Sequence, residues 1–166
     1  MSETIYSYLF EVILYPLINH NMIKVITFVF VVLCMQSFCQ EKQCDKCDLR
    51  YLTYVNQNFK NLNEAIVERF LCSQDYSCNL NPKFVQMANK TLYEILQTRP
   101  ELVVDCLERY KYLNKKYIIE QIRNPYTKQN FAIVYKKVRA LTDSSQTKDQ
   151  VSSSVKIAAL KFKIKL

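Results

Sequence analysis

Seven cysteines and a single histidine decide which chemistry this 166-residue chain can attempt. Five of the cysteines fall between positions 44 and 106, as Cys44-x2-Cys47, Cys72-x5-Cys78 and a lone Cys106. Thiols in two close pairs serve either metal ligation or disulfide formation. For zinc, the Cys72-x5-Cys78 spacing is too wide for a knuckle and no histidine supplements the set, so no metal site is expected. In an oxidising compartment the same spacing is read as a disulfide framework. The one histidine, His20, lies in an N-terminal apolar region, and a chain processed beyond it has no Ser-His or Cys-His nucleophile pair. Glycine is absent, which removes the phosphate-cradling loops of P-loop and dinucleotide-binding enzymes. Carboxylates remain at Asp45, Asp48, Glu64, Glu68, Glu94, Glu101, Asp105 and Glu108. Their spacing puts them on helix surfaces, where such groups are ordinarily solvated, so the chain reads as non-catalytic and without a cofactor.

The compartment follows from the N-terminal region. Val25 to Met35 is an 11-residue apolar run with Lys24 before it and Ser37-Phe38-Cys39 after it. A cation, a short apolar core and small residues at the −3 and −1 places describe a secretory signal cleaved before Gln40, with residues 1–39 as leader. The core is about half the ~20 residues that a spanning helix needs. Met22 is an alternative start that gives a compact basic n-region, and an uncleaved membrane anchor is the competing reading.

Helical periodicity fills the cysteine region. Leu52, Val55, Phe59, Leu62 and Ile66 recur at steps of 3, 4, 3 and 4, with a break expected near Asn61 where asparagines accumulate. Asn81-Pro82 is a helix start, and Phe84, Met87, Ala88, Thr91, Ile95 and Leu96 form an inward face behind it. Arg99-Pro100 restarts the chain, and Val103, Cys106, Leu107 and Tyr110 continue the pattern into a helix expected to reach Ile122. Asn89-Lys90-Thr91 is a glycosylation sequon, which requires Asn89 on the solvent face.

These residues resemble the saposin-like family of small helical lipid-interacting domains. The likeness rests on Cys44-x2-Cys47 opening a first helix, the Cys72/Cys78 pair closing a short loop, and the proline-headed Pro100-Glu-Leu-Val-Val-Asp-Cys106 stretch. It covers about residues 44 to 113. Carried over position by position, the resemblance implies bridges Cys47–Cys106 and Cys72–Cys78. The family's sixth cysteine is missing here, its place falling near Tyr112, so Cys44 is left to pair with Cys39 or to link two chains as a dimer. An unrelated disulfide-stapled helical bundle is the alternative. The resemblance implies an all-α, small disulfide-stabilised helical bundle that binds lipid.

Charge adds a separate argument. Gln40 to Glu108 carries 8 Lys/Arg against 10 Asp/Glu, whereas Arg109 to Leu166 carries 14 against 3. The expected organisation is a cysteine-containing helical domain at 40–123, a short basic helix at 124–141, and a polar linker with a cationic tail at 142–166. Phe131, Val134, Tyr135 and Val138 mark that short helix, and Lys136, Lys137 and Arg139 give it a cationic face. Thr142 to Ser154 reads as disordered, and the alternating Leu160 to Leu166 stretch with Lys161, Lys163 and Lys165 as a mobile tail. Basic and aromatic interleaving can also hold nucleic acid. In a secreted chain the Arg109 to Ile122 stretch reads instead as an amphipathic helix, packed on the domain in the first place or lying on an anionic membrane surface, and no nucleic-acid partner is expected. The leading expectation is a secreted or luminal lipid-binding or membrane-perturbing protein; the alternatives are an extracellular interaction protein without lipid activity and a membrane-anchored helical protein.

Overall fold

A computed structural model describes residues 44–142 and 144–166; the leader, with Met22, Cys34, Cys39 and the cleavage position, lies outside the described residues. Seven α-helices and two 3-10 turns make up the described part: α1 Leu49–Gln57, α2 Glu64–Cys72, α3 Pro82–Thr98, α4 Pro100–Arg109, α5 Lys115–Arg123, α6 Phe131–Ala140 and α7 Gln146–Lys161, with the turns at Phe59–Asn61 and Tyr76–Leu80. No strand occurs among the described residues. The chain is thus a small all-helical protein stabilised by two disulfides.

Short polar side chains set most helix starts. Asp48 accepts the backbone N–H of Arg50 at 2.9 Å, Asn63 that of Ile66 at 3.0 Å, and Asn81 that of Phe84 at 3.1 Å. Asn114 caps α5 through Tyr117 N–H at 3.1 Å, and Ser145 caps α7 through Lys148 N–H at 3.3 Å. The break expected near Asn61 lies at residues 58–63, where a 3-10 turn separates α1 from α2. The helix expected to run from Pro100 to Ile122 is interrupted at 110–114. There Tyr110 donates its hydroxyl to Glu64 at 2.6 Å and Tyr112 donates to Glu68, anchoring the link to α2.

One apolar core runs through all seven helices. Leu52 and Val55 of α1, Phe70 and Leu71 of α2, Leu92, Ile95 and Leu96 of α3, and Val103 and Leu107 of α4 are buried together. Ile118 and Ile122 of α5, Phe131, Val134 and Val138 of α6, and Val151, Val155, Ala158 and Ala159 of α7 belong to the same cluster. Met87 is only partly buried at its edge. The apolar faces of residues 49–71 and 84–107 are therefore spent on one another and on the later helices.

The C-terminal expectations need correction. Residues 146–161 form a helix packed on α4, α5 and α6, not a disordered linker and mobile tail. Besides its apolar residues it buries Thr147, Ser152 and Ser154. Thr147 donates to Glu108 and accepts from Lys115 Nζ at 2.6 Å, while Ser152 Oγ returns to the Asp149 carbonyl at 3.1 Å. Small side chains allow α7 to approach its neighbours closely, and local hydrogen bonds satisfy most of its buried hydroxyls. The boundaries drawn at 123 and 141 are likewise not domain boundaries, since Cys44–Leu166 forms one compact unit.

The disulfide pairing is also different. Cys44 bonds to Cys72 and Cys47 to Cys78, with Cα atoms 5.8 and 5.3 Å apart, while Cys106 is a free, buried thiol. Helix length explains why Cys47–Cys106 does not form. Cys47 N–H donates to Ser73 O at 2.9 Å, so the Cys44–Cys47 segment lies beside the C-terminal end of α2. Cys106 Sγ faces the Glu64 carbonyl at 3.8 Å, at the start of the same helix. Those ends are about 12 Å apart at 1.5 Å per residue, whereas bridged Cα atoms lie within about 7 Å. With Cys44 bonded inside the chain, the Cys39 partnership and the intermolecular link are both replaced.

Candidate functional site

The residues expected to meet an anionic surface are on the outside. Lys136, Lys137 and Arg139 are exposed on α6, the last of these paired with Asp149 at 3.4 Å. Lys161 ends α7 and donates to Asn124 Oδ1, while Lys163 and Lys165 follow the helix, both exposed. Lys163 has φ 56°, in the left-handed region, and its N–H bonds to Leu160 O at 2.9 Å. Ile164 N–H returns to Ala159 O at 2.9 Å. This 161–164 turn closes the helix and swings the chain back, so Phe162 and Ile164 pack on the core while the lysines between and after them face out.

A feature that periodicity of the Lys-rich tail did not bring out stands beside those lysines. Leu160 is 63 % exposed and Ile157 37 % exposed, three residues apart on α7, with Lys156 and Lys161 flanking them. Leu166 is also exposed. Residues three apart share a helix face. The C-terminal end thus presents apolar side chains set among cations. The signal was in the sequence, as Lys156-Ile157-x2-Leu160-Lys161, but it is an amphipathic pattern only once α7 is known to be a helix.

Farther toward its N-terminal end, along the same face of α7, an open groove of about 760 Å³ separates it from α5. Lys116 and Arg123 line it and form no ion pair among the described residues, whereas Lys115 is held by Glu108 at 3.9 Å. Its lining is mixed, with Ile119, Gln150 and Ser153 between the charges.

Asn89 has to be corrected as a glycosylation site. It is 1 % exposed, its Nδ2 donates to Gln121 O at 2.8 Å, and its Oδ1 accepts Tyr126 N–H at 3.3 Å. A glycan on Nδ2 would have to occupy the space between α3 and α5. Asn89 falls on the inward face of α3 between Ala88 and the inward-facing Thr91, both buried.

Several carboxylates are held by neighbouring side chains. The Tyr110 hydroxyl, and then the Arg109 guanidinium, hold Glu64 below the usual carboxylate range. The Ser77 N–H, with the Asn114 side-chain amide, does the same for Asp75. Burial and the carboxylates of Glu64, Glu68 and Asp105 push the Cys106 thiol up to about 12, so it is no nucleophile at neutral pH. Among the described residues no group of three or more His, Cys, Asp or Glu side chains is placed to hold a metal ion, and no helix is long and apolar enough to cross a membrane. The two disulfides are compatible with an extracellular or luminal location. Compared with protein-family models, curated proteins and solved structures, the chain matches none of them.

Proposed function

We propose that this chain is a secreted or luminal, non-catalytic helical protein that attaches to anionic membrane surfaces through its C-terminal end. The observation that carries the reading is the exposure of Ile157, Leu160 and Leu166 among Lys156, Lys161, Lys163 and Lys165. Apolar side chains enter the headgroup boundary while the lysines meet lipid phosphate and carboxylate. The charge excess beyond residue 108 supports the same orientation, since long-range attraction acts on that half of the sequence. Because the apolar helix faces are used in the core, the reading is of surface attachment and not of a lipid enclosed between helices. The saposin-like resemblance lends less here, because the bridge it implied to Cys106 is not the one formed.

Co-sedimentation with phosphatidylserine-containing vesicles tests the proposal. Each lysine near an anionic surface contributes about 1 kcal/mol, so Lys161, Lys163 and Lys165 changed together to Ala should weaken binding by roughly 100-fold. Added salt should weaken binding to wild type more than to the triple variant. Equal binding by the two proteins would refute the reading. A second reading, an extracellular interaction protein without lipid activity, is favoured by the filled core, and absence of any vesicle binding would select it.

A further inference from the structure

A separate pocket of about 360 Å³ opens between α5, the turn at Tyr76–Leu80 and the segment after α5. Three tyrosines line it, Tyr76, Tyr117 and Tyr126, the first two meeting edge to face with centroids 4.8 Å apart. The hydroxyls of two of them are committed as donors. Tyr76 donates to Glu120 at 3.0 Å and Tyr117 to Asn79 Oδ1 at 3.0 Å, which leaves lone pairs and ring faces on offer. Glu120 lines the pocket, and among the described residues no Lys or Arg forms an ion pair with it. Gln121, also in the lining, has an Oε1 that is buried without a hydrogen-bond partner.

The Glu120 carboxylate and the Gln121 Oε1 are acceptors, the Tyr76 and Tyr117 hydroxyls are already spent as donors, and no Lys or Arg lines the pocket. From Arg109 onward the chain carries 14 basic and 3 acidic residues, and one of those three is Glu120. Burial, with Tyr126, Asp75 and Glu120 as neighbours, pushes the Tyr117 hydroxyl up to about 12, as expected where the surroundings resist added negative charge. We propose that the Tyr76, Tyr117 and Tyr126 pocket, with Glu120 and Gln121, binds a primary alkylammonium group. Ring faces attract the cation, Glu120 supplies the counter-charge, and the orphan Gln121 carbonyl takes an N–H that a quaternary ammonium lacks. Asn89 is then a positioning residue, since its amide joins Gln121 O on one wall to Tyr126 N–H on the other. The proposal does not depend on attachment through the C-terminal end.

The test is an NMR titration of the purified, oxidised protein with its tyrosine rings labelled, using n-butylammonium chloride as probe. The ring signals of Tyr76, Tyr117 and Tyr126 should shift saturably, with a Kd on the order of 1–10 mM. Sodium chloride at equal ionic strength should not reproduce the shifts, and tetramethylammonium should bind several-fold more weakly. Glu120→Gln should raise the Kd roughly five- to tenfold, and Tyr126→Ala, at an exposed residue, should do likewise with the remaining spectrum unchanged. Vesicles distinguish the source of the group. Tighter sedimentation with phosphatidylethanolamine than with phosphatidylcholine, lost in Glu120→Gln, identifies a lipid headgroup; n-butylammonium binding without that preference identifies a soluble amine. Shifts matched by sodium chloride, or a Kd unchanged by Glu120→Gln, would overturn the proposal.

Discussion

The free thiol of Cys106 separates the observed disulfide pairing from the one implied by the resemblance. In the structure Cys106 has no exposed surface, and its pKa is pushed up to about 12. At pH 8 about one thiol in 10,000 would be ionised at that pKa, against about a quarter for an unperturbed cysteine near 8.5. Alkylation by iodoacetamide proceeds through the thiolate, so the native protein should react at least 1,000-fold more slowly than its urea-unfolded form, before access is considered. The assay is a timed alkylation at pH 8 without reductant, followed by proteolysis and mass measurement of the peptide that carries Cys106. Unfolded protein should label it completely while Cys44, Cys47, Cys72 and Cys78 remain blocked. Rapid native labelling would refute the burial, and recovery of Cys106 in a disulfide-linked peptide would refute the pairing. The same shift has a sign for stability. A thiol whose pKa is raised on folding keeps its contribution below about 8.5 and loses it as pH climbs toward 12, because the unfolded chain ionises first. Cys106→Ala should therefore flatten the loss of denaturant midpoint between about pH 9 and 11.

Other consequences are open to measurement. The bridges close loops with sequence separations of 28 and 31, so replacing either pair by serine should cost about 3 to 4 kcal/mol on the chain-entropy account, read as a lower urea midpoint. Cys106→Ala, which breaks no bridge, should cost less than either; a larger cost would contradict the pairing. Asn89→Ala should destabilise by about 1 to 3 kcal/mol, since it leaves Gln121 O and Tyr126 N–H without their partner. Intact mass of the protein purified from a glycosylating host should show no glycan. Truncation after Ser145 should abolish cooperative unfolding, because it strips Val151, Val155, Ala158 and Ala159 from the core. A truncated chain that melted like wild type would restore the reading of a dispensable tail.

The parts of the fold that were legible before the structure share one property: a local signal strong enough to act alone. Asn81-Pro82 starts α3, Arg99-Pro100 separates α3 from α4, and Phe131, Val134 and Val138 mark α6. What was missed depended on tertiary context. The inner face of α7 consists of valines, alanines and hydroxyl residues, so its periodicity is faint, and its polarity resembles that of a linker. Tyr112 and Tyr110 look like helix residues until their hydroxyls are seen to reach Glu68 and Glu64. Connectivity of cysteines is the extreme case, because it depends on which end of α2 each partner approaches. Asn89 was misplaced for a related reason. A sequon describes what a glycosylating enzyme accepts, whereas burial depends on the face of α3 that α5 covers.

The folded state of α7 also changes which residues should bear the weight of the membrane reading. A lysine in the last turn of a helix interacts favourably with the carbonyls there, so Lys161 has a structural use irrespective of any lipid. Leu160 has no such use. Its side chain is 63 % exposed, contributes little to the core, and raises the apolar exposure of a surface already rich in charge. Replacing a lysine by glutamate alters helix electrostatics and membrane attraction together, but Leu160→Ser alters mainly the apolar contact. Burying a leucine side chain is worth about 1.5 to 3 kcal/mol, so this variant should bind anionic vesicles about 10- to 100-fold more weakly with its melting temperature unchanged. If instead it binds as wild type while the lysine triple variant does not, the contact is purely electrostatic and the exposed apolar residues do not enter the bilayer.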